Sequence, residues 1–286
     1  MNFKEKRMID VHAHIGKIGL GRPLKVYQLL KFMDRNGIEK AVVLPIENPE
    51  ETYYYVTTDE VLKAGKRHPE RLIPFCNIDP RRGASDTSTD FYKIIKEYKE
   101  RGCKGFGEEL SGLWVDDLRL QKIYEACGRL KMPILMHLDG LRNKDDIGLL
   151  RLEKMLKKFP KTIFIGHGPH FWAEISSDLK KKDFSGYPKG EIKKGALDKL
   201  FSKCPNLYGD LSAGSGYNAL ARDPDYGYKF LEEFQGKLLF GTDYLSPGQK
   251  CPQIKFLKEA KEKGLIKKKT FEKIAFKNAK KLLRVK

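Results

Sequence analysis

The six histidines of this 286-residue chain are unevenly placed, and four of them end apolar runs. His12 and His14 stand one residue apart in MIDVHAHIG; His137 closes PILMH, His167 closes TIFIGH, and Asp243 follows LLFGT. Neutral imidazole is a good ligand for zinc and other first-row divalent ions. Residues i and i+2 of a strand point to the same side, about 6.6 Å apart along it. His12 and His14 can therefore converge on one ion, and a third imidazole and a carboxylate from other strands would complete a site that leaves a position for water. Singly, each residue has an ordinary explanation. A strand histidine can be hydrogen-bonded in a core, and Asp243 can cap a helix. Their shared position, at the C-terminal ends of separate runs, argues for one site.

Eight such runs are legible: 8–14, 40–46, 72–78, 103–109, 133–139, 162–168, 207–213 and 238–244. They are nearly continuous in apolar residues and bounded by turn formers, as buried parallel strands are. Amphipathic stretches lie between them. PLKVYQLLKFMDRNG stops at Asn-Gly, STDFYKIIKEYKERGC opens on a Ser/Thr/Asp cap, and GLLRLEKMLKKFP and GALDKLFSKCP stop before proline. Eight strand–helix units in this length predict an α/β fold of the (β/α)8 TIM-barrel type, with the site at the C-terminal face of the strands. A doubly wound sheet is the alternative, but its Gly-rich first turn is replaced here by His-Ala-His. No linker or repeat divides the chain, so a single domain over 1–286 is expected. Two loops after strands are long, at 47–60 and 171–195, and could cover the active face.

Lys and Arg number 56 against 38 Asp and Glu, a formal charge of +18. Such a charge concentrates anionic ligands, yet the basic residues are spread over helical segments, as on a solvated surface, and nucleic acid is a disfavoured partner. Five separate cysteines without a C-x-x-C pair suit a reducing compartment and exclude a disulfide framework. MNFKEKRMIDVH lacks the apolar segment of a secretory signal, and no run is long enough to span a membrane. A cytoplasmic location, a small-molecule substrate and no membrane partner are expected, with a homodimer allowed.

IDVHAHIG, PILMHLDG, FPKTIFIGHG, NLYGDLSAGSG and LLFGTDYL together resemble the amidohydrolase superfamily, most closely its amidohydrolase-related ("amidohydrolase 2") branch, and RHPERLIPFCNIDP is similar to that branch's third strand. The likeness runs from about residue 8 to 284. It implies a divalent metal at the barrel mouth, Zn2+ before Mn2+ or another first-row ion, as one ion or two. His12, His14 and His137 then look like ligands. Asp243 looks like the residue that ligates or approaches the metal and takes a proton from its water. His167 looks like the strand-6 histidine that orients water or substrate, or ligates a second metal. On the fourth strand, in KGFGEELSGL, Glu108 is the expected ligand over Glu109, because alternation puts the two on opposite faces; a carbamylated Lys104 is the alternative.

The expected activity is metal-assisted hydrolysis of an ester, lactone or amide, with Asp243 as proton acceptor and His167 steadying the oxyanion. The rival reactions are non-oxidative decarboxylation of an aromatic or unsaturated acid, which members of this branch carry out, and a TatD-like nuclease activity suggested by Gly107-Glu108. Substrate contacts are expected among the loop residues His170, Arg142 and Tyr54, with Arg22, Tyr53, Tyr55 and Arg222 as further candidates.

Overall fold

The computed structural model describes residues 7–18, 22–48, 55–82 and 88–285. Tyr53 and Tyr54 lie outside the described residues. The strands are β1 (Met8–Ala13), β2 (Ile38–Val43), β3 (Leu72–Pro74), β4 (Phe106–Glu109), β5 (Ile134–His137), β6 (Phe164–His167), β7 (Leu207–Asp210) and β8 (Leu238–Leu239). All pair in parallel, β1 to β3 in one ladder and β4 to β8 in another. Backbone hydrogen bonds join the two ladders at both seams. Cys76 N–H donates to Gly105 (3.0 Å) and Gly107 N–H to Cys76 (2.8 Å), while Val11 N–H donates to Phe240 (3.0 Å) and Asp243 N–H to His12 (2.7 Å). The architecture is the (β/α)8 barrel that the sequence predicts.

Period-two alternation sorts the strand side chains into two cores. Ile9, Val11, Val42, Leu44, Ile73, Phe75, Leu135, Ile165 and Leu239 fill the barrel interior, floored by Ala279 and Leu283. Their neighbours, such as Ala41, Val43, Leu72, Phe106, Ile134 and Phe164, face the surrounding helices. Those helices are α1 (Val26–Asn36), α2 (Thr58–Arg67), α3 (Phe91–Glu100), α4 (Leu118–Leu130), α5 (Leu150–Lys158), α6 (Pro169–Ala173), α7 (Ala196–Lys203), α8 (Ala213–Ala221), α9 (Pro224–Glu233), α10 (Pro252–Glu262), α11 (Lys268–Glu272) and α12 (Asn278–Leu283). Local chemistry sets their ends. Gly37 adopts φ 75° to close α1, the Thr57/Glu60 capping box opens α2, and Asp90 caps α3.

The ladders are shorter than the apolar runs. The seventh run, expected as strand through residue 213, leaves the sheet at Asp210, and α8 begins at Ala213. The eighth ladder ends at Leu239, so Asp243 sits on an extension beyond it. The reason is visible at Asp10, whose Oδ1 accepts the N–H groups of His12 (3.0 Å) and Thr242 (2.9 Å). A side chain there takes backbone donors that a longer ladder would have used.

Candidate metal centre

Two irregularities in register aim the principal side chains. Between Asp10 and Ala13, β1 advances three residues while β2 advances two, and between Phe106 and Glu109, β4 does the same against β5. Each is an extra residue of the bulge type, which bends a strand and re-aims the side chains beyond it. One lies at His12 and the other at Glu108.

Four donor atoms meet there. His12 Nε2 and His14 Nε2 are 3.1 Å apart, and each lies 3.4 Å from Glu108 Oε2 and 3.4 Å from Asp243 Oδ1. A tetrahedron of ligands about 2.0–2.2 Å from zinc has edges of roughly 3.3–3.6 Å. The edges between the two imidazoles and either carboxylate suit such an ion. His12, His14 and Asp243 form one group able to hold a metal, and His12, Glu108 and His167 form another.

The tautomers make the same case. His14 Nδ1 faces the Leu44 carbonyl at 3.1 Å, and a carbonyl only accepts, so this nitrogen carries the proton. His12 Nδ1 donates to Asp210 Oδ2 at 2.7 Å. Both Nε2 atoms of the neutral rings then present lone pairs to each other at 3.1 Å. Only a cation between them, or an added proton, removes that repulsion. The surrounding acids press in the same direction. Burial alone would lower His12, but the charges of Glu108 and Asp243 and the Asp210 bond outweigh it and hold the imidazole well above its usual range. His14 is raised too, burial being offset by Asp243 and Glu108. Glu108 and Asp243 are buried, yet the histidines hold both below the ordinary carboxylate range. Buried charge of this kind requires compensation. The donor set of two imidazoles and two carboxylates fits a divalent first-row ion.

His137 stands beside this quartet. Its Nδ1 is 2.7 Å from Glu108 Oε1 and its Nε2 3.1 Å from Asp139 Oδ2. Burial would lower it, but these two bonds push it up to about 9. The structure thus brings it to the other oxygen of Glu108, away from the four converging donors. His167 Nδ1 is 3.0 Å from Ser212 Oγ and 3.1 Å from Asp210 Oδ2, and its Nε2 is 4.0 Å from Glu108 Oε1.

The remaining candidates lie outside the cluster. Glu109 turns away, its Oε1 accepting the Ser111 N–H at 3.0 Å. Lys104 is exposed, ahead of the first residue of β4 and at the opposite end from Glu108. His170 is buried, stacked on Phe184 at 3.6 Å, with Nε2 3.2 Å from Glu174. Arg142 donates through Nη1 to Asp139 Oδ2 at 2.6 Å, so it steadies the acid that holds His137. Tyr55 and Arg22 are exposed, and Arg222 stands at the far end of α8 from the cluster.

Sequence reasoning missed four supporting residues. Asp210 binds both His12 and His167, and Ser212 Oγ donates to it at 2.6 Å. Asp10, pushed to about 7 chiefly by burial, ties β1 to Thr242, and Asp139 holds His137. A signal was present for Asp139, which ends the run 133–139, whereas Asp210 lies inside the run 207–213. Gly241 belongs with them, since a Cβ there would lie 2.2 Å from Asp210 Oδ1.

Fold and donor set define a TIM-barrel protein with a candidate metal centre at the C-terminal mouth. The family model described as Amidohydrolase (the amidohydrolase 2 branch) matches residues 9–285, and the chain belongs to that family. Solved structures with the same fold include an uncharacterized TIM-barrel protein from Bordetella bronchiseptica (TM-score 0.66, 18% identity, 97% of this chain and 98% of that one). A probable 2-pyrone-4,6-dicarboxylic acid hydrolase from Acinetobacter baumannii, with citric acid bound, is similar at TM-score 0.62 and 15% identity over 97% and 99% of the two chains. A 2,6-dihydroxybenzoate decarboxylase from Rhizobium is similar at 0.64 and 14% over 97% and 98%. No curated protein matches the sequence. Among the described residues, no helix is long and apolar enough to cross a membrane.

Proposed function

We infer that the protein is a metal-dependent enzyme that hydrolyses an ester, lactone or amide bond in a small carboxylate-bearing molecule. The observation that carries this reading is the pair of Nε2 lone pairs of His12 and His14, 3.1 Å apart and flanked by Glu108 and Asp243. Those four residues would hold the ion, which Zn2+ suits best, and His167 would serve a second ion if two bind. A divalent ion there supplies Lewis acidity and lowers the pKa of a bound water.

The chain's own groups do the rest. The side chain of Asp243 is 18% exposed against 5% or less for the other three, so it is the member of the quartet that can meet reactants from the open mouth and accept a proton. His167 is held as the Nδ1–H tautomer by Ser212 and Asp210, which leaves a lone pair on Nε2. That lone pair would accept a proton or hold an ion, and in this tautomer the ring is not a donor to an oxyanion. The +18 charge draws anionic substrates toward the barrel.

Decarboxylation of a carboxylic acid is the second reading, and the likeness to the Rhizobium decarboxylase supports it. The probable hydrolase from Acinetobacter baumannii and the decarboxylase from Rhizobium are both named for carboxylic acids, which supports a carboxylate-bearing substrate. The test is a screen of the metal-loaded protein on carboxylate-bearing lactones, esters, amides and aromatic acids, following acid release and carbon dioxide separately. Asp243→Asn should fold and bring kcat down about 10²–10⁴-fold. Carbon dioxide release without hydrolysis moves the protein to the second reading, and undiminished turnover in Asp243→Asn overturns the assigned role.

A further inference from the structure

A pocket of about 420 Å³ lies between the long loop after β6 and the C-terminal end of α8. Arg222 forms part of its wall, with Lys180, Lys182, Lys189 and Tyr187 and with the acids Asp178 and Asp183. The guanidinium of Arg222 is unusual in this molecule. Its Nε and Nη2 are buried and have no hydrogen-bond partner. By contrast Arg71, Arg101, Arg119 and Arg151 each donate to an aspartate. The acids near Arg222 are committed elsewhere. Asp178 accepts from Ser176 Oγ (2.7 Å), Asp183 from Lys180 N–H (2.9 Å), and Asp223 from the N–H groups of Ile192 (2.9 Å) and Tyr226 (3.3 Å). They lend Arg222 favourable charge without an ion pair, and burial still lowers its affinity for the proton. Arg222 lines the pocket, and its unused N–H groups, which a turn of the side chain would bring to the cavity, form a fork for a carboxylate or phosphate.

One wall residue, Tyr187, lies on the side of the metal centre. Tyr187 packs on Gly214, where a Cβ would come within 2.8 Å of its hydroxyl, and Gly214 is two residues past Ser212, which contacts His12 and His167. The charge of Asp243 reaches Tyr187 as well. Arg222 is separated from that end by the nine residues of α8, about 13 Å of helix.

We propose that this pocket is an anion-binding site in which Arg222 grips a carboxylate or phosphate, with the loop lysines at its rim. The anion is either a separate small ion or the far end of an extended substrate seated at the metal centre; the second source rests on the function inferred above, the first does not. The experiment is calorimetry on the full chain, loaded with stoichiometric zinc and again after chelation, using inorganic phosphate and the extended dicarboxylate suberate. Arg222→Gln should weaken phosphate binding at least about tenfold, and Arg222→Lys, which keeps the charge but loses the fork, by less. Melting curves verify that both variants fold, and if the glutamine variant does not, the lysine variant carries the comparison. Phosphate binding that depends on Arg222 and survives chelation assigns a separate anion. Suberate binding weakened both by Arg222→Gln and by chelation assigns the far end of a substrate. Affinities unchanged in the folded variants, or binding lost with chelation alone, overturn the proposal, as does the absence of millimolar binding of either probe.

Discussion

Glu108 and Glu109 are adjacent in β4 and have opposite surroundings. At the mouth, burial would raise Glu108, but His12, His137 and His14 hold it well below the usual carboxylate range. Asp210 is likewise depressed, burial being outweighed by His12 and His167. On the other side of the strand, burial dominates. It pushes Glu109 up to about 7 with only Ser111 and Asn143 in opposition, and it pushes Asp145 up to about 6. Glu109 Oε2, Ser111 Oγ and Asn143 Oδ1 are buried without partners. One region is a set of anions arranged around basic nitrogens and suits a cation. The other keeps its acids close to neutral. Identical side chains acquire opposite characters because of which face of one strand they occupy.

The largest effect that could break this contrast comes from exchanging the two glutamates in turn. Glu108→Gln removes a charge from the four converging donors, so metal content should collapse and turnover should fall more than about 100-fold, beyond what the loss of a residue that only orients a ligand costs. Glu109→Gln should leave metal content intact and turnover within about threefold, since it reaches none of the donors. Metal analysis and kcat on both purified variants decide it. The reverse pattern would transfer the fourth-strand ligand to Glu109.

Much of this was readable from sequence because strand ends are readable. The histidine-terminated runs identify β1, β5 and β6, and period-two alternation separates Glu108 from Glu109. The extra residues in β1 and β4 were not readable, since a bulge depends on how a neighbouring strand pairs, not on its own composition. Asp210 was overlooked for a different reason: an aspartate after Tyr-Gly reads as a turn former, and its role appears only when β7 is set beside β1 and β6. Arg142 shows a third limit. Its spacing of three from Asp139 does not reveal whether it meets substrate or its neighbour, and in the folded chain it is bonded to the neighbour. The stretch after Asp210 failed as strand because Ser212 and Ala213 start α8 beneath the mouth.

The outer region can be tested by pH, away from the metal donors. Asp145 accepts the N–H groups of Asp146, Arg151 and Leu152, and burial still raises it from 3.8 to about 6. A carboxyl with a raised folded pKa retains its proton longer in the folded state than in the unfolded one. Its contribution to stability is full below about pH 4 and is lost as pH rises through 6. In Asp145→Asn nothing titrates, so the stability of the variant relative to wild type should climb by up to about 3 kcal/mol between pH 4 and 6. Denaturant melts of both proteins across that range measure it. A gap that stays flat would mean the outer acids are not held near neutral, and the contrast with the mouth would fail.

The smallest effect concerns how the mouth keeps its rings aligned. Asp210 Oδ2 takes His12 Nδ1 at 2.7 Å, His167 Nδ1 at 3.1 Å and the Ser212 hydroxyl at 2.6 Å, while Oδ1 takes the Ser212 N–H at 3.0 Å. Both oxygens of the carboxylate are thus engaged, and both rings are fixed with Nε2 toward the reactants. Asparagine in its place keeps one acceptor oxygen and turns the other into a donor facing N–H and O–H groups. Either His12 or Ser212 must then give way, and His12 becomes free to rotate or to move its proton to Nε2, where it would block a metal. Metal affinity in Asp210→Asn, measured by competition with a chelator, should fall about 10–100-fold, with kcat lowered in parallel. A lowered melting temperature with unchanged metal affinity would instead make Asp210 a purely structural tie between β7 and β1. The donor geometry of the mouth would then have to be set by the bulges alone.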